Sequence, residues 1–379
     1  MEYDLEFNPD RYRVETAEAE GKRLVYRAYE DLVYVKRPSA PEYQKMNIYV
    51  PEAYWEGGSI GAYDKNTAPV FFANTVGGYM PGKPEKPGNN HLGRTNTLFQ
   101  ALLHGYVAVS VGARGRGLTG EDGSFIGCAP ACIVDLKAAV RYLKYNRDRI
   151  CGSMSHIISN GTSAGGALSA LLGVTGNHPD YESFLEEAGA ACAEDDIFAA
   201  SCYCPITNLE HGDMAYEWEF NGYDNYQRMH GIRDEKTGER KMVPLMGIQS
   251  AEQRKMSDEL KILFPAYVNG LHLKDEKGNC LKLEEDGNGS FKEYVKARVM
   301  ESIQKAMEEG TDFSGFPWIT VRKGKAVDVD FEQYVAYRTR MKTTPAFDEV
   351  ALTTPENELF GNKTTASRHF TRFSLEHSK

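Results

Sequence analysis

The first half of the chain alternates between short apolar runs and segments with helical periodicity. Residues 133–145 repeat apolar side chains at helical spacing and place Lys137, Arg141 and Lys144 on the other face, which predicts an amphipathic helix. Residues 96–103 predict another helix. The strand-like runs lie at residues 31–36, 46–51, 68–73, 106–111 and 197–203. This alternation predicts an α/β fold, with a mostly parallel sheet covered by helices on both faces.

The pattern changes after Pro205, where the chain becomes more polar. Long helices are predicted over residues 291–309 and 331–342. The predicted hairpins pair residues 271–274 with 280–283 and residues 318–321 with 326–329. We interpret this region as a large cap domain inserted into the α/β core. The predicted division is a core over 1–205, an inserted cap or lid over 206–360, and a return to the core over 361–379.

Composition and charge narrow the class of partner. The 379 residues are 41% hydrophobic and 26% charged, which is ordinary for a globular protein. A net charge of -10 argues against nucleic acids and anionic membranes as partners. No signal-peptide pattern and no run of about 18 apolar residues is present, so no membrane association is predicted. Seven cysteines in apolar or helical contexts favour reduced thiols and a cytoplasmic protein.

No cofactor or metal is predicted. Residues 112–117, GARGRG, follow a buried strand, but their spacing is G-x-x-G-x-G rather than the dinucleotide-binding G-x-G-x-x-G. Cys202 and Cys204 are separated by one residue and lack a second Cys or His pair nearby, which is a weak metal pattern. Residues 286–290 begin like a calcium loop, but Ala297 stands where its last carboxylate would be, so a plain turn is expected.

The strongest chemical signal lies at residues 161–165, GTSAG. A short apolar strand precedes it and a helix rich in small residues follows it. This context fits the G-x-S-x-G nucleophile elbow, in which a strained turn raises the serine hydroxyl above the sheet. Glycines two residues either side are needed because side chains would crowd the turn. Ser163 is therefore the predicted nucleophile of a hydrolase.

An oxyanion hole is predicted beside this serine. Gly77 and Gly78 follow the strand over residues 68–73, at the place where this fold supplies one of the two amides. The other amide would come from Ala164, at the start of the helix that follows the nucleophile. The alternative is that the two glycines form an ordinary turn.

Four segments resemble the bacterial tannases, α/β-hydrolase esterases that release gallic acid from galloyl esters. The segments are NTVGGY at 74–79, NGTSAGGA at 160–167, YCPITNLEHGDMAYEW at 203–218 and TTPENELFG at 353–361. The resemblance covers nearly the whole chain, and its long middle motif is specific. A generic esterase would share only the elbow.

The resemblance implies roles for individual residues. Ser163 would be the nucleophile, and the amides of Gly77 and Ala164 would bind the oxyanion. Lys342 and Glu356 would bind the phenolic hydroxyls of the galloyl ring, a role that suits an ammonium and a carboxylate. From the sequence alone, a solvated surface residue is the preferred interpretation of each of these two charges, and the resemblance is what favours a binding role.

The chain departs from the family at its C-terminal end. The family's catalytic acid, its histidine and a third galloyl-contacting carboxylate follow two further strands, so this C-terminal segment is expected to be missing. His369 and His377 follow Ser163 and are candidate bases by chain order alone. Without the last strands, residues 197–203 are expected to form a sheet edge with unpaired backbone groups. A second polypeptide that completes the sheet is therefore a candidate partner.

The sequence predicts a tannase-like serine esterase, a carboxylic ester hydrolase that would act on galloyl esters through an acyl-enzyme. It is expected to be poorly active as an isolated chain, because a serine without an imidazole is a weak nucleophile. One alternative is a non-catalytic protein that binds an aromatic acid or a partner. Others are a general carboxylesterase, a thioesterase or a peptidase on the same fold.

Overall fold

The computed structural model describes residues 2–90, 93–233 and 240–378, and only the backbone of residues 230–233 and 240–242. The chain divides into two compact units. The first comprises Met1–Thr207 and Leu352–Arg368, and the second comprises Asn208–Ala351 and His369–Lys379. The division into core, cap and return that the sequence suggested stays a prediction.

Within the described residues, the first unit is built on a seven-stranded sheet and the second contains two antiparallel strand pairs. The sheet order is β1-β2-β3-β5-β4-β6-β7. The strands are β1 (Arg13–Ala19), β2 (Lys22–Val33), β3 (Lys45–Pro51), β4 (Pro69–Asn74), β5 (Val107–Val111), β6 (Ser153–Thr162), β7 (Ala199–Tyr203), β8 (Asn225–Arg233), β9 (Arg240–Ile248), β10 (Ile319–Arg322) and β11 (Lys325–Val329). Strands β5, β4, β6 and β7 run parallel, whereas β1, β2 and β3 join by antiparallel pairing. This sheet with its helices confirms the predicted α/β-hydrolase fold class.

Ten α-helices lie within the described residues. They are α1 (Thr97–Leu103), α2 (Ala131–Tyr145), α3 (Ala164–Val174), α4 (Glu182–Ala188), α5 (Gly212–Phe220), α6 (Ala251–Gly270), α7 (Ser290–Glu308), α8 (Phe331–Arg338), α9 (Pro355–Leu359) and α10 (Arg372–His377). None of the helices in this part of the chain has both the length and the apolar composition needed to cross a membrane.

The core of the first unit covers both faces of the parallel strands. Ala73 and Ala108 pack in a cluster with Phe99 of α1. Val70 and Phe72 point to the opposite face, because successive strand residues alternate, and both are fully buried. The unbroken apolar runs of the sequence are thus explained by burial on both sides of the sheet.

The second unit encloses a buried ion pair beside its aromatic clusters. Arg340 donates to Glu217 over 2.5 Å, and neither side chain is exposed. Thr344 Oγ1 donates to the same carboxylate at 2.7 Å, so its lone pairs are shared between several donors. Removing one partner of such a pair leaves an uncompensated buried charge.

Two predictions for the second unit need correction. The helix predicted over 331–342 ends at Arg338, because Thr339 has φ +61° and Arg340 turns into the ion pair with Glu217. The hairpin predicted over 271–283 is reduced to a turn with one bridge, between Lys274 and Cys280. There the carboxylate of Asp275 and the contact of residue 283 with α6 replace further strand pairing. The hairpin over 318–329 is confirmed as β10 and β11.

Candidate active site

Ser163 lies at the junction between β6 and α3. Its backbone has φ +58° and ψ -120°, a conformation that residues with a Cβ rarely adopt. The residue is exposed, and its side chain makes no capping hydrogen bond to the helix. Its backbone N–H donates to the carbonyl of Tyr203 at 2.9 Å, which fixes the turn against the end of β7. The hydroxyl is therefore exposed at the N-terminus of α3, with no hydrogen-bond partner among the described residues.

The glycines around Ser163 are explained by close backbone contacts. A Cβ on Gly161 would lie 2.2 Å from the carbonyl oxygen of Gly165. A Cβ on Gly166 would lie 2.5 Å from the carbonyl oxygen of Tyr203. Both distances are shorter than any real Cβ contact, so the turn excludes larger residues at these positions.

The loop after β4 is tied directly to the first turn of α3. The amide nitrogen of Asn74 donates to the carbonyl oxygens of Asn160 and Gly165 at 3.1 and 3.0 Å. The Asn74 side-chain oxygen accepts the backbone N–H of Val76 at 3.3 Å. Val76 precedes Gly77, and a Cβ on Gly165 would lie 2.7 Å from the Val76 carbonyl oxygen. Val76, which precedes Gly77, is thus in contact with Gly165, which follows Ala164.

Asn74 is the first residue of the NTVGGY segment, and its bridging role cannot be predicted from that motif. A single side chain that bridges two loops cannot be recognised without distances. Its position as the last residue of a buried strand is the one available signal, since polar residues there lie at the sheet edge where sites form.

Glu356 lies on α9 in the first unit. It is 6% exposed, and its Oε2 atom has no hydrogen-bond partner among the described residues. Burial raises the pKa of Tyr79 to about 12, and the nearby charge of Glu356 adds to this shift. The Glu356 carboxylate therefore lies near the side chain of Tyr79, which follows Gly77 and Gly78 in the chain. Buried carboxylate oxygens are normally satisfied, so an unpartnered one suggests a ligand-binding role.

Lys342 lies in the second unit, in the segment after α8. It is half-buried, and its ammonium lies 4.1 Å from the ring centre of Phe347. Its backbone N–H donates to the hydroxyl of Tyr216 at 3.1 Å. Ser163, Gly77, Ala164 and Glu356 all belong to the first unit.

The two histidines considered as bases also lie in the second unit. His369 Nδ1 lies 2.8 Å from the carboxylate of Asp348, which is fully buried. Both ring nitrogens of His377 are engaged, with the Phe373 carbonyl and with Glu259. Both imidazoles contact a carboxylate, but of the two only His369 keeps a second ring nitrogen without a hydrogen bond among the described residues, as a catalytic imidazole requires. Within the described residues of the first unit, no imidazole is hydrogen-bonded to Ser163.

The described part of the chain contains no group of three or more His, Cys, Asp or Glu side chains arranged to hold a metal ion.

An exposed serine at a strand-to-helix turn of a parallel sheet defines the protein as an α/β-hydrolase. The BD-FAE family model matches residues 62–256. Two curated relatives from Mycobacterium tuberculosis (strain ATCC 25618 / H37Rv) are esterases. Esterase LipC is 43% identical over 58 residues, and the probable carboxylic ester hydrolase LipM is 28% identical over 174 residues. These matches cover 15% and 46% of this chain but only 14% and 36% of the relatives' own lengths.

Solved structures give a closer match over a longer span. Fusobacterium nucleatum tannase is 49% identical with a TM-score of 0.94, over 99% of this chain and 79% of that one. The tannase from Lactobacillus plantarum is 42% identical with a TM-score of 0.94, over 99% of this chain and 81% of that one. A tannin acyl hydrolase in complex with ethyl gallate is 42% identical with a TM-score of 0.91, over 99% of this chain and 80% of that one. The chain therefore belongs to the family of the bacterial tannases and to the BD-FAE family, and it is a carboxylic ester hydrolase.

Proposed function

We propose that this tannase-like ester hydrolase cleaves galloyl esters and that Ser163 is its nucleophile. The observation that carries the proposal is the free, exposed hydroxyl of Ser163, held in a strained backbone turn at the start of α3. Such a turn persists only where the surrounding contacts enforce it, as those of Gly161 and Gly166 do. The substrate class comes from the relative that binds ethyl gallate.

We assign the oxyanion hole to the backbone amides of Gly77 and Ala164. Among the hydrogen bonds of the described residues, none uses either N–H as a donor. The Ala164 N–H is the first of α3, so it belongs to the amides that a helix leaves unsatisfied. Two such donors can stabilise the negative charge that develops on the carbonyl oxygen when the serine attacks.

The reaction proceeds through two acyl transfers. The Ser163 oxygen attacks the galloyl carbonyl carbon, and the tetrahedral intermediate collapses with loss of the alcohol, which leaves a galloyl-serine ester. Water then attacks this ester, and gallate and free Ser163 are released. Each step also needs a proton acceptor and a proton donor.

We propose that Glu356 and Lys342 recognise the phenolic hydroxyls of the galloyl ring. Phenol O–H groups would donate to the Glu356 carboxylate, and this would satisfy the Oε2 atom that lacks a partner in the described structure. The Lys342 ammonium can donate to phenolic oxygens. Discrimination should be strong, because a buried polar group left unpaired penalises an analogue without hydroxyls.

The experiment compares methyl gallate, methyl benzoate and a short aliphatic ester, together with labelling by a fluorophosphonate. Methyl gallate should be the best substrate, and Ser163→Ala should abolish both labelling and turnover. Glu356→Gln should reduce the preference for gallate over benzoate by at least about tenfold. The matched control is Glu56→Gln, which changes an exposed glutamate of the same unit.

Two results would overturn the proposal. Turnover of the aliphatic ester without turnover of methyl gallate would indicate a general carboxylesterase. Binding of gallate without any labelling of Ser163 would indicate a non-catalytic protein that binds aromatic acids.

We also propose that the protein works in the reducing environment of the cytoplasm. All seven cysteines are unpaired thiols in the structure, and persistent free thiols are typical of that compartment. Thiol titration of protein purified without reductant should therefore find seven free groups, and a titre of five or fewer would contradict the proposal.

A further inference from the structure

We propose that Arg116 is a positioning residue that keeps the loop of residues 77–79 and helix α9 in a fixed arrangement. The inference rests on the proposed function, since it matters only if this loop supplies an oxyanion amide and Glu356 of α9 binds the galloyl ring. The loop at residues 112–117, whose glycine spacing differs from that of a dinucleotide-binding loop, thereby acquires a role.

Arg116 makes contacts in two directions. Its Nε donates to the carbonyl oxygen of Gly78 at 2.6 Å, and its backbone N–H donates to the carbonyl oxygen of Tyr79 at 2.8 Å. Its Nη1 forms an ion pair with the Oε2 atom of Glu358 on α9. A planar guanidinium suits this task, because its donors diverge in fixed directions.

Close packing holds Arg116 in place. A Cβ on Gly115 would lie 2.3 Å from the backbone carbon of Met80, so only glycine lets the two loops approach this closely. Arg114 anchors the same loop through a 2.7 Å bond to Asp135, whose side chain is fully buried. The loop that carries Arg116 is thus fixed by contacts other than those of the Arg116 side chain with Gly78 and Glu358.

Both segments that Arg116 contacts carry proposed site residues. The bond to Gly78 lies one residue from the Gly77 N–H that we assign to the oxyanion hole. Glu358 and Glu356 share the five-residue helix α9, whose first turn is capped by Thr354 at 3.1 Å. Because a single helical turn moves as one piece, a displacement of Glu358 also displaces Glu356.

The contribution of the ion pair to stability should be small. The side chains of Arg116 and Glu358 are 19% and 35% exposed, and partly exposed pairs contribute little to folding. Positioning is more sensitive, because a shift of about 1 Å in a catalytic group costs up to about a hundredfold in rate. Arg116 should therefore affect the site far more than the fold.

The experiment measures two independent properties in the full chain. The rate of fluorophosphonate labelling of Ser163 reports the oxyanion loop, and calorimetric titration with gallic acid reports the ring-binding side. Arg116→Ala should slow labelling about tenfold and weaken gallic acid binding about tenfold. Arg116→Lys should not rescue either property, because one ammonium cannot reproduce the divergent donors.

A further variant separates the contact of Arg116 with Gly78 from its contact with Glu358. Glu358→Ala should weaken gallic acid binding as Arg116→Ala does, but its labelling rate should fall less, because Gly78 keeps its bond to the guanidinium. The control is Arg149→Ala, which removes an exposed pair with Glu6 at 2.9 Å. Both properties of this control should stay within about twofold of the original protein. Melting temperatures confirm that each variant is folded.

The outcomes distinguish the inference from the function on which it rests. If the unmodified chain is labelled and binds gallic acid but Arg116→Ala behaves like Arg149→Ala, the inference is wrong and the function stands. A loss in only one property would also overturn it, because Arg116 would then serve one segment and not both. If the unmodified chain shows neither labelling nor binding, the proposed function fails and the inference fails with it.

Discussion

The side-chain amide of Asn74 donates a hydrogen bond to the carbonyl oxygen of Gly165 at 3.0 Å. Asn74 is the last residue of β4, and Gly165 is in the first turn of α3. The bond therefore links the strand that leads into the Gly77 loop to the helix that follows Ser163. The same amide also reaches Ser169 Oγ at 3.0 Å, one turn further along the helix. In this way one side chain sets the distance between the two proposed oxyanion donors.

Replacing Asn74 should damage the site. Asn74→Ala removes the donor to three oxygen atoms and should slow fluorophosphonate labelling of Ser163 by about tenfold to a hundredfold. It should also lower the free energy of unfolding by about 2 kcal/mol, because buried acceptors lose their partner. Asn74→Asp keeps the acceptor for Val76 but places a carboxylate against carbonyl oxygens, so it should be at least as damaging.

The control for these variants is Asn66→Ala, since Asn66 is exposed and lies in the loop before β4. Its labelling rate and stability should match those of the original protein. If Asn74→Ala were equally silent, the Gly77 loop would be held by its other contacts alone.

The sequence predicted the central strands because burial on both faces leaves a clear signal. The runs at 68–73 and 106–111 match β4 and β5 within one residue. The turn at Ser163 was equally visible, because the contacts of Gly161 and Gly166 exclude any other residue. Such local requirements appear in the sequence whenever one residue type alone fits.

Prediction was poorer where distant contacts decide the structure. Helix α8 ends early because Arg340 pairs with Glu217, 123 residues away in the sequence. The β8–β9 hairpin and helix α6 were missed, although α6 begins with a capping box formed by Ser250 and Gln253. The roles of Asn74 and Arg116 were missed for the same reason, since both depend on which loops meet.

The strained turn at Ser163 should make glycine more stable than alanine at this position. A residue with a Cβ in this conformation costs about 1–3 kcal/mol, whereas glycine adopts it without a steric penalty. Glycine also lowers the free energy of unfolding by about 0.4–1 kcal/mol, because it increases the conformational entropy of the unfolded chain. Ser163→Gly should therefore be about 1 kcal/mol more stable than Ser163→Ala, although both lack the hydroxyl. Urea unfolding of the two variants measures the difference.

A position inside a helix should show the reverse order. Ser302 is exposed on α7, where alanine is favoured over glycine by about 1 kcal/mol. Ser302→Gly should therefore be less stable than Ser302→Ala. If glycine were also the less stable choice at position 163, the turn would not be strained.

The exposed edge of the sheet should promote association between copies of the chain. In the sheet formed by the described residues, β7 lies at one edge. Phe198, just before β7, is 65% exposed. Exposed apolar edges promote pairing between chains, so light scattering should show association that rises with protein concentration. Phe198→Lys should reduce it, while the free energy of unfolding should change by less than about 0.5 kcal/mol.

Val174→Lys is the matched control for the edge, because Val174 is 82% exposed but lies on α3. This change should leave association unaltered. Equal effects of the two substitutions would mean that general surface hydrophobicity, and not the edge, causes the association. The expectation that a second polypeptide completes the sheet stays a prediction.

The buried carboxyl of Asp213 on α5 should make the stability of the fold depend on pH. Burial raises the pKa of this carboxyl to about 6, although it accepts the backbone N–H groups of Phe347 and Asp348. The folded protein therefore binds this proton more tightly than the unfolded chain, in which an aspartate has a pKa of about 3.9. The resulting stabilisation is complete below about pH 4 and is lost as the pH rises through 6. It amounts to about 3 kcal/mol.

The measurement compares the original protein with Asp213→Asn between pH 4 and 7. Tryptophan fluorescence suits this test, because Trp218 and Trp318, two of the three tryptophans, lie in the second unit with Asp213. The stability advantage of the original protein over Asp213→Asn should decrease by about 2 kcal/mol across this range, because part of the effect is already lost at pH 4. A difference that stays constant with pH would show that Asp213 ionises normally.

Asp195 supplies the control with the opposite sign. Its burial would by itself raise the pKa, but hydrogen bonds from Lys137, the Asn177 N–H and Arg141 lower it overall. The Lys137 bond is 2.7 Å long and both partners are almost fully buried. A lowered pKa stabilises the fold above the unfolded value and loses this effect as the pH falls through the folded value. The advantage of the original protein over Asp195→Asn should therefore grow as the pH rises from acid to about 5, in the direction opposite to that of Asp213.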